Sequence, residues 1–474
     1  MLGSWDDVGP DSPLERQPTI GLIGMGAMGR MYAQYLSKAG WNKIHVCDLP
    51  TKYEKLKAEY NGVPGVTVLP DGHAVGRSSD FIIYSVEAEF IERVVAEYGP
   101  STKLGAVVAG QTSVKAPEKI AFEKYLPQDA QIVSCHSLHG PSVSPVGQPL
   151  ILIRHRASPE ALGLVENVLR SFGSRYVYLS YAEHDLVTAN TQAVTHAAFL
   201  SMGTAWACMK AYPWEQGLYV GGIETAKVNI TLRIYSNKWH VYAGLAILNP
   251  NAKIQIDQYA ESATELFKLM LQGGAEGGEQ RFRERVEWAR SIVFGEDGKK
   301  RTPILLSEDV LDRFSLGRTP ASPSVPLPPS PHTSVIGQTR NNANSHLSLL
   351  AMVDCWAHLK INPFDHLALA ATPIFRLFLG VAEHLFRSQK MLDSAIHSAL
   401  CDTWHRRDDL EFVVAARGWS QCVSFGSFDL YHRRFEETCA FFEGRFEEAG
   451  VLGSEMIKAI MENEKVREAQ DSKL

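Results

Sequence analysis

Short apolar runs alternate with helix-period stretches from about Thr19 to Tyr181. The runs Thr19–Ile23, Ile44–Asp48, Phe81–Val86, Ala106–Ala109, Gln131–Cys135, Leu150–Ile153 and Tyr176–Leu179 read as strands, and Met28–Lys38 and Pro159–Ser171 read as helices between them. Ser158 stands where an N-cap is wanted, with Pro159 at the first helical position. Strand–helix alternation of this kind predicts a largely parallel sheet covered by helices. After Glu183 the pattern changes to long helical segments, for example His184–Lys210 and Asn229–Ile247. Residues 314–344 carry six prolines between Pro320 and Pro331 and read as a semi-extended linker. A second helical segment follows.

The helical region repeats itself. Residues 195–214 (THAAFLSMGTAWACMKAYPW) and 345–364 (SHLSLLAMVDCWAHLKINPF) share seven identical positions without gaps: His196/His346, Leu200/Leu350, Met202/Met352, Trp206/Trp356, Ala207/Ala357, Lys210/Lys360 and Pro213/Pro363. Each copy is followed by a Leu/Phe-Arg-Ile/Leu element, at Leu232-Arg233-Ile234 and Phe375-Arg376-Leu377. A duplicated domain whose copies pack on each other would imitate a homodimer within one chain.

Most of the chain's potential chemistry sits on glycines and histidines. Gly24-x-Gly26-x-x-Gly29 follows a strand and opens a helix. That is the context in which the motif binds a dinucleotide: a sharp turn, a backbone that can approach a pyrophosphate, and a helix N-terminus that offers free N–H groups. Gly24, Met25, Gly26, Ala27, Met28 and Gly29 are the expected phosphate loop. Asp48, at the end of the second run, is placed to accept ribose hydroxyls and favours NAD. Lys52 and Lys55 lie just downstream and can offset its repulsion of a 2′-phosphate, so the residues alone leave NAD and NADP open.

Polar groups also gather where apolar runs end, the usual place for a site in an α/β sheet. Gly110-Gln-Thr-Ser-Val-Lys115 and Ser134-Cys-His-Ser-Leu-His-Gly-Pro141 are read as turns directly after such runs. His136 is the candidate general base, since an imidazole takes a proton near neutral pH. A strand-end histidine bonded only to backbone is the competing account, and His139 is a second choice.

Composition narrows the class. The chain has 474 residues, 45% hydrophobic and 21% charged, with a net charge of −6. This is ordinary for a globular protein, too long for one core, and unsuited to general nucleic-acid or anionic-membrane binding. No apolar run approaches the roughly 20 residues of a membrane span. The seven cysteines are scattered and form no CxxC pair, which fits reduced thiols, no zinc site and a cytoplasmic location. Residues 1–17 are polar and acidic, lack a basic region followed by an apolar stretch, and are expected to form a disordered tail.

The expected fold class is therefore an α/β Rossmann domain followed by an all-α helical domain, the helical part duplicated. The expected domains are the tail at 1–17, a Rossmann NAD(P)-binding domain at 18–181, a helical substrate or dimerisation domain at 182–313, the linker at 314–344 and a degenerate second helical copy at 345–474.

The segments GLIGMGAMG, GQTSVK, HSLHGP, EHDLVTANTQAVTHAAFLSMGTAW and NITLRIYSNKWHVYAG together resemble prephenate dehydrogenase of the fungal type, over almost the whole chain from about Thr19. The resemblance implies oxidative decarboxylation of prephenate to 4-hydroxyphenylpyruvate in tyrosine biosynthesis, with hydride transfer to NADP. It implies His136 as the catalytic histidine at the C4 hydroxyl and Ser113 as a serine near that hydroxyl and the nicotinamide. It further implies His196 as a substrate-binding histidine and Arg233 as the anchor for a substrate carboxylate. The bacterial motif has proline where this chain has Ser137. Two other readings compete: a β-hydroxyacid dehydrogenase, for which Lys227 is the nearest lysine but lacks the GxxxKxxxN context, and a non-catalytic NADP sensor. The duplicated segment is expected to give either a monomer with an internal pseudo-dimer or a homodimer, with the second copy catalytically empty.

Overall fold

Strand and helix alternate through the N-terminal region of the computed structural model as β1 (Ile20–Ile23), α1 (Ala27–Ala39), β2 (Ile44–Cys47), α2 (Tyr53–Glu59), β3 (Val66–Val68), α3 (Gly72–Ser78), β4 (Phe81–Tyr84), α4 (Ile91–Tyr98), β5 (Val107–Gly110), α5 (Ala116–Tyr125), β6 (Gln131–Ser137), β7 (Pro149–Arg156), α6 (Pro159–Leu169), β8 (Arg175–Tyr178) and α7 (Tyr181–Thr188). The structure describes residues 5, 7–141, 143–216, 222–295, 303–305, 311, 314, 316, 344–370, 372–402 and 405–471. The eight strands form one sheet in the order β3-β2-β1-β4-β5-β6-β7-β8. All neighbours are parallel except β6 and β7.

Successive side chains of a strand point to opposite faces, so a doubly covered sheet needs apolar residues at nearly every position. Leu22, Ile83, Val107 and Val133 belong to the layer that also holds Tyr32 and Leu36 of α1 and Val165 of α6. Ile23, Ile82, Val108 and Ile132 belong to the opposite layer, with Val95 of α4 and Phe122 of α5. Ser158 caps α6 as expected, its hydroxyl accepting Ala161 N–H at 3.2 Å.

The chain divides into two compact units, and their boundaries differ from the expected ones. The first takes residues 1–192 together with 240–252 and 365–372; the second takes 193–239, 253–364 and 373–474. Residues 182–192 go with the sheet because α7 is tied to it. Asp185 accepts the N–H groups of Lys115 and Ala116 at the start of α5, both at 2.7 Å. Residues 240–252 join because Asn249 donates to the backbone oxygen of Asp185 at 2.8 Å. The expected disordered tail is also corrected for Asp7–Gln17. Val8 is buried in the sheet's core, and the Gln17 amide donates to the backbone oxygens of Pro10 and Ser12. A lone apolar residue in a polar stretch hid this packing. The expected linker falls almost wholly outside the described residues.

The second unit is built of α8 (Val194–Met209), α9 (Gly222–Tyr235), the start of α10 (Trp239–Ile247), α11 (Ala252–Leu271), α12 (Gly278–Phe294), α13 (Leu347–Leu359), α15 (Pro373–Arg387), α16 (Gln389–Cys401), α17 (Arg406–Phe425), α18 (Phe428–Phe442) and α19 (Phe446–Asp471), while the short α14 (Leu367–Ala370) belongs to the first. The expected helix His184–Lys210 is broken: a π-helical turn at Ala189–Ala193 separates α7 from α8. Thr188 and Thr191 hydroxyls bond back to the carbonyls of His184 and Val187, a habit that distorts helices. Asn229–Ile247 likewise splits into α9 and α10.

The repeat seen in the sequence has a structural counterpart. α8 and α13 both end on a lysine in the left-handed region, Lys210 at φ 52° and Lys360 at φ 54°. Each is followed by a 3₁₀ turn that begins at Pro213 or Pro363. The packing is reciprocal. On α8, Thr204 accepts the Trp419 indole N–H from α17 at 3.0 Å and lies 3.3 Å from Thr438 of α18. On α13, the Ser348 carbonyl accepts the Tyr259 hydroxyl from α11 at 3.2 Å, and Asp354 binds Arg285 of α12 at 2.5 Å. The first helix of each copy thus packs on the fourth and fifth helices of the other, the contact pattern of an isologous dimer.

Candidate active site

The sheet's strand ends gather the candidate residues of the first unit. β1, β4 and β5 run parallel with Ile23, Tyr84 and Gly110 in register, so Gly24, Ser85 and Gln111 emerge on one edge. β6 is parallel to β5 and runs on to Ser137, which brings His136 to the same edge.

The glycine loop fits a dinucleotide pyrophosphate. Gly24 has φ +102°, and a Cβ there would meet the Ser85 carbonyl oxygen at 2.3 Å. A Cβ on Gly29 would lie 2.2 Å from the Gly24 oxygen, so the helix and the turn are in direct backbone contact. At Gly26 a Cβ would meet nothing within 4 Å, which leaves an open approach at the uncapped start of α1. Met25 is buried, while Ala27 and Met28 open the helix. Asp48 lies just beyond β2, accepts the Leu49 N–H at 2.8 Å, and pairs with Lys52 at 3.3 Å. That ion pair offsets the acidic charge at the adenosine end. Arg30 is held by Glu59 at 2.7 Å, which raises the guanidinium's pKa.

His136 lies inside β6, paired with Ile151 of β7, not in a turn after the strand as its sequence suggested. β6 runs longer than its apolar part because β7 supplies an antiparallel partner out to Ser137. Ser137, where the bacterial motif has proline, is buried, with its hydroxyl 2.8 Å from that of Tyr32. Ser134 and His136 share one face of the strand, and each meets a different polar group there.

Ser134 meets a buried ion pair. Lys115 and Glu118 are fully buried, 2.8 Å apart. The lysine also donates to the carbonyls of Gly110 and Cys135 and to Ser134. Glu118 accepts from Thr112 at 2.6 Å and from Ser134. Ser113 stands half-buried between these groups in the loop after β5.

His136 meets α7. Its Nδ1 lies 2.8 Å from Nε2 of His184, and His184 Nδ1 lies 2.9 Å from Asp185 Oδ1. The capping box Ser180/Glu183 fixes where α7 begins and so where this pair stands. His136 is 7% exposed, His184 wholly buried and Asp185 2% exposed. Burial, then the charges of His184 and Lys115, push the His136 pKa well below its usual value; burial and Lys115 do the same to His184. Burial raises the Asp185 carboxyl to about 6, against the pull of the two N–H groups that bind it. In the sequence His184 and Asp185 served only to mark a spacing. Their contact joins residues 48 apart, which no local pattern shows.

The two remaining candidates lie in the second unit. His196 is on α8, and burial takes its pKa down to about 3. Arg233, near the end of α9, reaches Ser454 at 3.4 Å. Lys227, the lysine of the competing β-hydroxyacid reading, is buried in an ion pair with Glu224 at 2.8 Å, and His346 of the second copy binds the same carboxylate at 3.0 Å. The position equivalent to His196 is thus closed by the protein's own charges.

Two family models match the chain: a 6-phosphogluconate dehydrogenase C-terminal domain over residues 193–462, and the coenzyme F420-dependent NADP oxidoreductase over 19–109. Curated relatives match nearly end to end. A probable prephenate dehydrogenase (NADP(+)) of Schizosaccharomyces pombe is 52% identical over 94% of this chain and 98% of its own. A prephenate dehydrogenase (NADP(+)) of Saccharomyces cerevisiae is 49% identical over 96% of each. Among solved structures, the prephenate dehydrogenase of Aquifex aeolicus aligns with a TM-score of 0.45 and 19% identity, over 57% of this chain and 98% of that one.

Proposed function

The chain belongs to the family of NADP-dependent prephenate dehydrogenases, and on that basis we propose that it oxidises and decarboxylates prephenate to 4-hydroxyphenylpyruvate, with NADP as hydride acceptor, in the tyrosine branch of a cytoplasmic pathway. The near full-length identity to two enzymes so named carries the reading.

Gly24, Met25, Gly26, Ala27, Met28 and Gly29 would hold the pyrophosphate against the first turn of α1, with Asp48 and Lys52 at the adenosine end. The Lys52 ammonium beside Asp48 makes that end tolerant of a 2′-phosphate. The bound nicotinamide supplies the hydride acceptor. Ser113 would stand near the reacting hydroxyl. Arg233 would anchor a substrate carboxylate, since a guanidinium offers a planar bidentate fork. His196, held neutral by burial, would hydrogen-bond the substrate without adding charge.

His136 would act as base. Removing the hydroxyl proton at C4 pushes electrons toward hydride loss from that carbon, and departure of the ring carboxylate as CO₂ makes the ring aromatic. A histidine whose burial disfavours the charged form binds a proton only as the reaction delivers it. In oligomeric terms, the internal pseudo-dimer would replace a partner subunit, so we expect a working monomer.

The test is His136→Asn with steady-state kinetics, following reduced cofactor by absorbance with prephenate and NADP. Turnover is expected to fall about 10²–10⁴-fold with KM for prephenate little changed. Normal turnover would remove His136 from the role of base, and absence of prephenate oxidation by the unaltered chain would overturn the whole reading.

A further inference from the structure

The hydrogen-bond chain ending on His136 has a fixed direction. Asp185 accepts backbone N–H groups on both oxygens, from Lys115 on Oδ1 and from Ala116 on Oδ2. An ionised carboxylate only accepts, so its contact with His184 at 2.9 Å requires the proton on His184 Nδ1. A neutral imidazole carries one N–H, which leaves His184 Nε2 as a lone pair. That lone pair faces His136 Nδ1 at 2.8 Å, and only a proton on Nδ1 makes a hydrogen bond there. His136 then has an unprotonated Nε2.

We propose that His184 and Asp185 are positioning residues that lock His136 in the tautomer whose Nε2 is free to take the substrate's hydroxyl proton. This rests on the reading of His136 as the base. In the step itself the substrate O–H bond breaks, an N–H bond forms at His136 Nε2, and the electron pair leaves C4 with the hydride that the cofactor accepts. No proton need pass beyond His136. As the imidazolium forms, its Nδ1–H still points at His184, which shares the charge with Asp185. The anchor is rigid because Asp185 also caps α5 and its backbone oxygen is held by Asn249.

Three further titratable groups face this chain: Lys115 and Glu118 at the start of α5, and His139 in the loop after β6. The charges of Lys115 and His139 oppose an imidazolium at His136. The relay therefore works against its surroundings and sets where the proton sits, a task distinct from raising the histidine's basicity.

The experiment uses the full chain labelled with ¹⁵N-histidine, without substrate, and reads the His136 tautomer from long-range ¹H–¹⁵N correlations, assigned by their loss in His136→Asn. The wild type is expected to show the proton on Nδ1. His184→Gln, whose amide oxygen can stand in for the Nε2 lone pair, should keep that tautomer and keep kcat within about tenfold. His184→Leu should shift the proton to Nε2 and lower kcat by about 10²–10⁴-fold, the scale of a mis-set tautomer in other histidine bases, with KM for prephenate changed less than about threefold. A wild-type His136 protonated on Nε2, or a His184→Leu chain with unaltered tautomer and kcat, overturns the proposal. Because the tautomer is measured without turnover, this failure is separate from failure of His136 as the base, which His136→Asn kinetics reports.

Discussion

Replacing Lys115 by methionine should destabilise the sheet unit more than any other single change near the site. Lys115 is fully buried and donates to Gly110, Cys135 and Ser134 as well as Glu118. Methionine fills much of the same volume and removes only the charge and the donors. What remains is Glu118, wholly buried, with its cationic partner gone. Removing one member of a buried pair costs about 3–5 kcal/mol, because the other charge stays desolvated. With a urea slope of about 3 kcal/mol per molar, the midpoint of sheet-unit unfolding should fall by about 1–2 M. Hydrogen exchange at β5 and β6, measured against urea, reads that unit separately from the helical one. The double variant Lys115→Met/Glu118→Leu should regain most of the loss, since replacing both members of a buried pair is often near neutral. The hydroxyls left behind keep acceptors: Ser134 bonds to the Gly110 carbonyl and Thr112 to that of Val114. A single variant within about 0.5 M of wild type, or a double variant no better than the single, would refute this account of the pair.

Two further outcomes follow from particular atoms. Gly26→Ala should leave the melting temperature of the free protein unchanged, since the added Cβ meets nothing, while abolishing most of the rise in melting temperature that NADP produces; Gly29→Ala, with its Cβ on the Gly24 carbonyl, should lower the melting temperature without cofactor as well. Asp409, buried beside Ser345 at 2.8 Å, has its carboxyl raised by burial to about 7, so its contribution is fully present below the unfolded value near 4 and is lost as pH rises through about 7. Asp409→Asn should therefore gain on the wild type by about 4 kcal/mol between pH 4 and pH 7 and hold that gain above it, and chemical unfolding across pH showing a constant difference would exclude it.

Local pattern was enough for most of the first unit. Buried parallel strands leave near-continuous apolar runs, and the glycine spacing around Gly24 is dictated by backbone contacts that a sequence displays directly. β3 escaped because Val66, Thr67 and Val68 are three residues of partial exposure at the sheet's edge, with neither length nor contrast to mark them. The extent of β6 was underread because Ser134, His136 and Ser137 are polar, and only their pairing with β7 makes them a strand. The candidate site divides the same way. His136 stood out as a histidine at the end of an apolar run, while its dependence on His184 required α7 to fold back against β6, an event of tertiary structure. Val8 and Gln17 failed for a related reason, since a single buried side chain carries no period.

The reciprocal packing of α8 on α17 and α18, and of α13 on α11 and α12, places what would be a subunit interface within one polypeptide. Association of the two halves is then a first-order event, governed by tether length and indifferent to how dilute the protein is. A symmetric dimer must also accept each substitution twice, once in either protomer. Here a change in α13 is felt once, so the half that contacts no sheet of its own was free to trade ligand-facing groups for the Glu224–Lys227–His346 charges that now seal it.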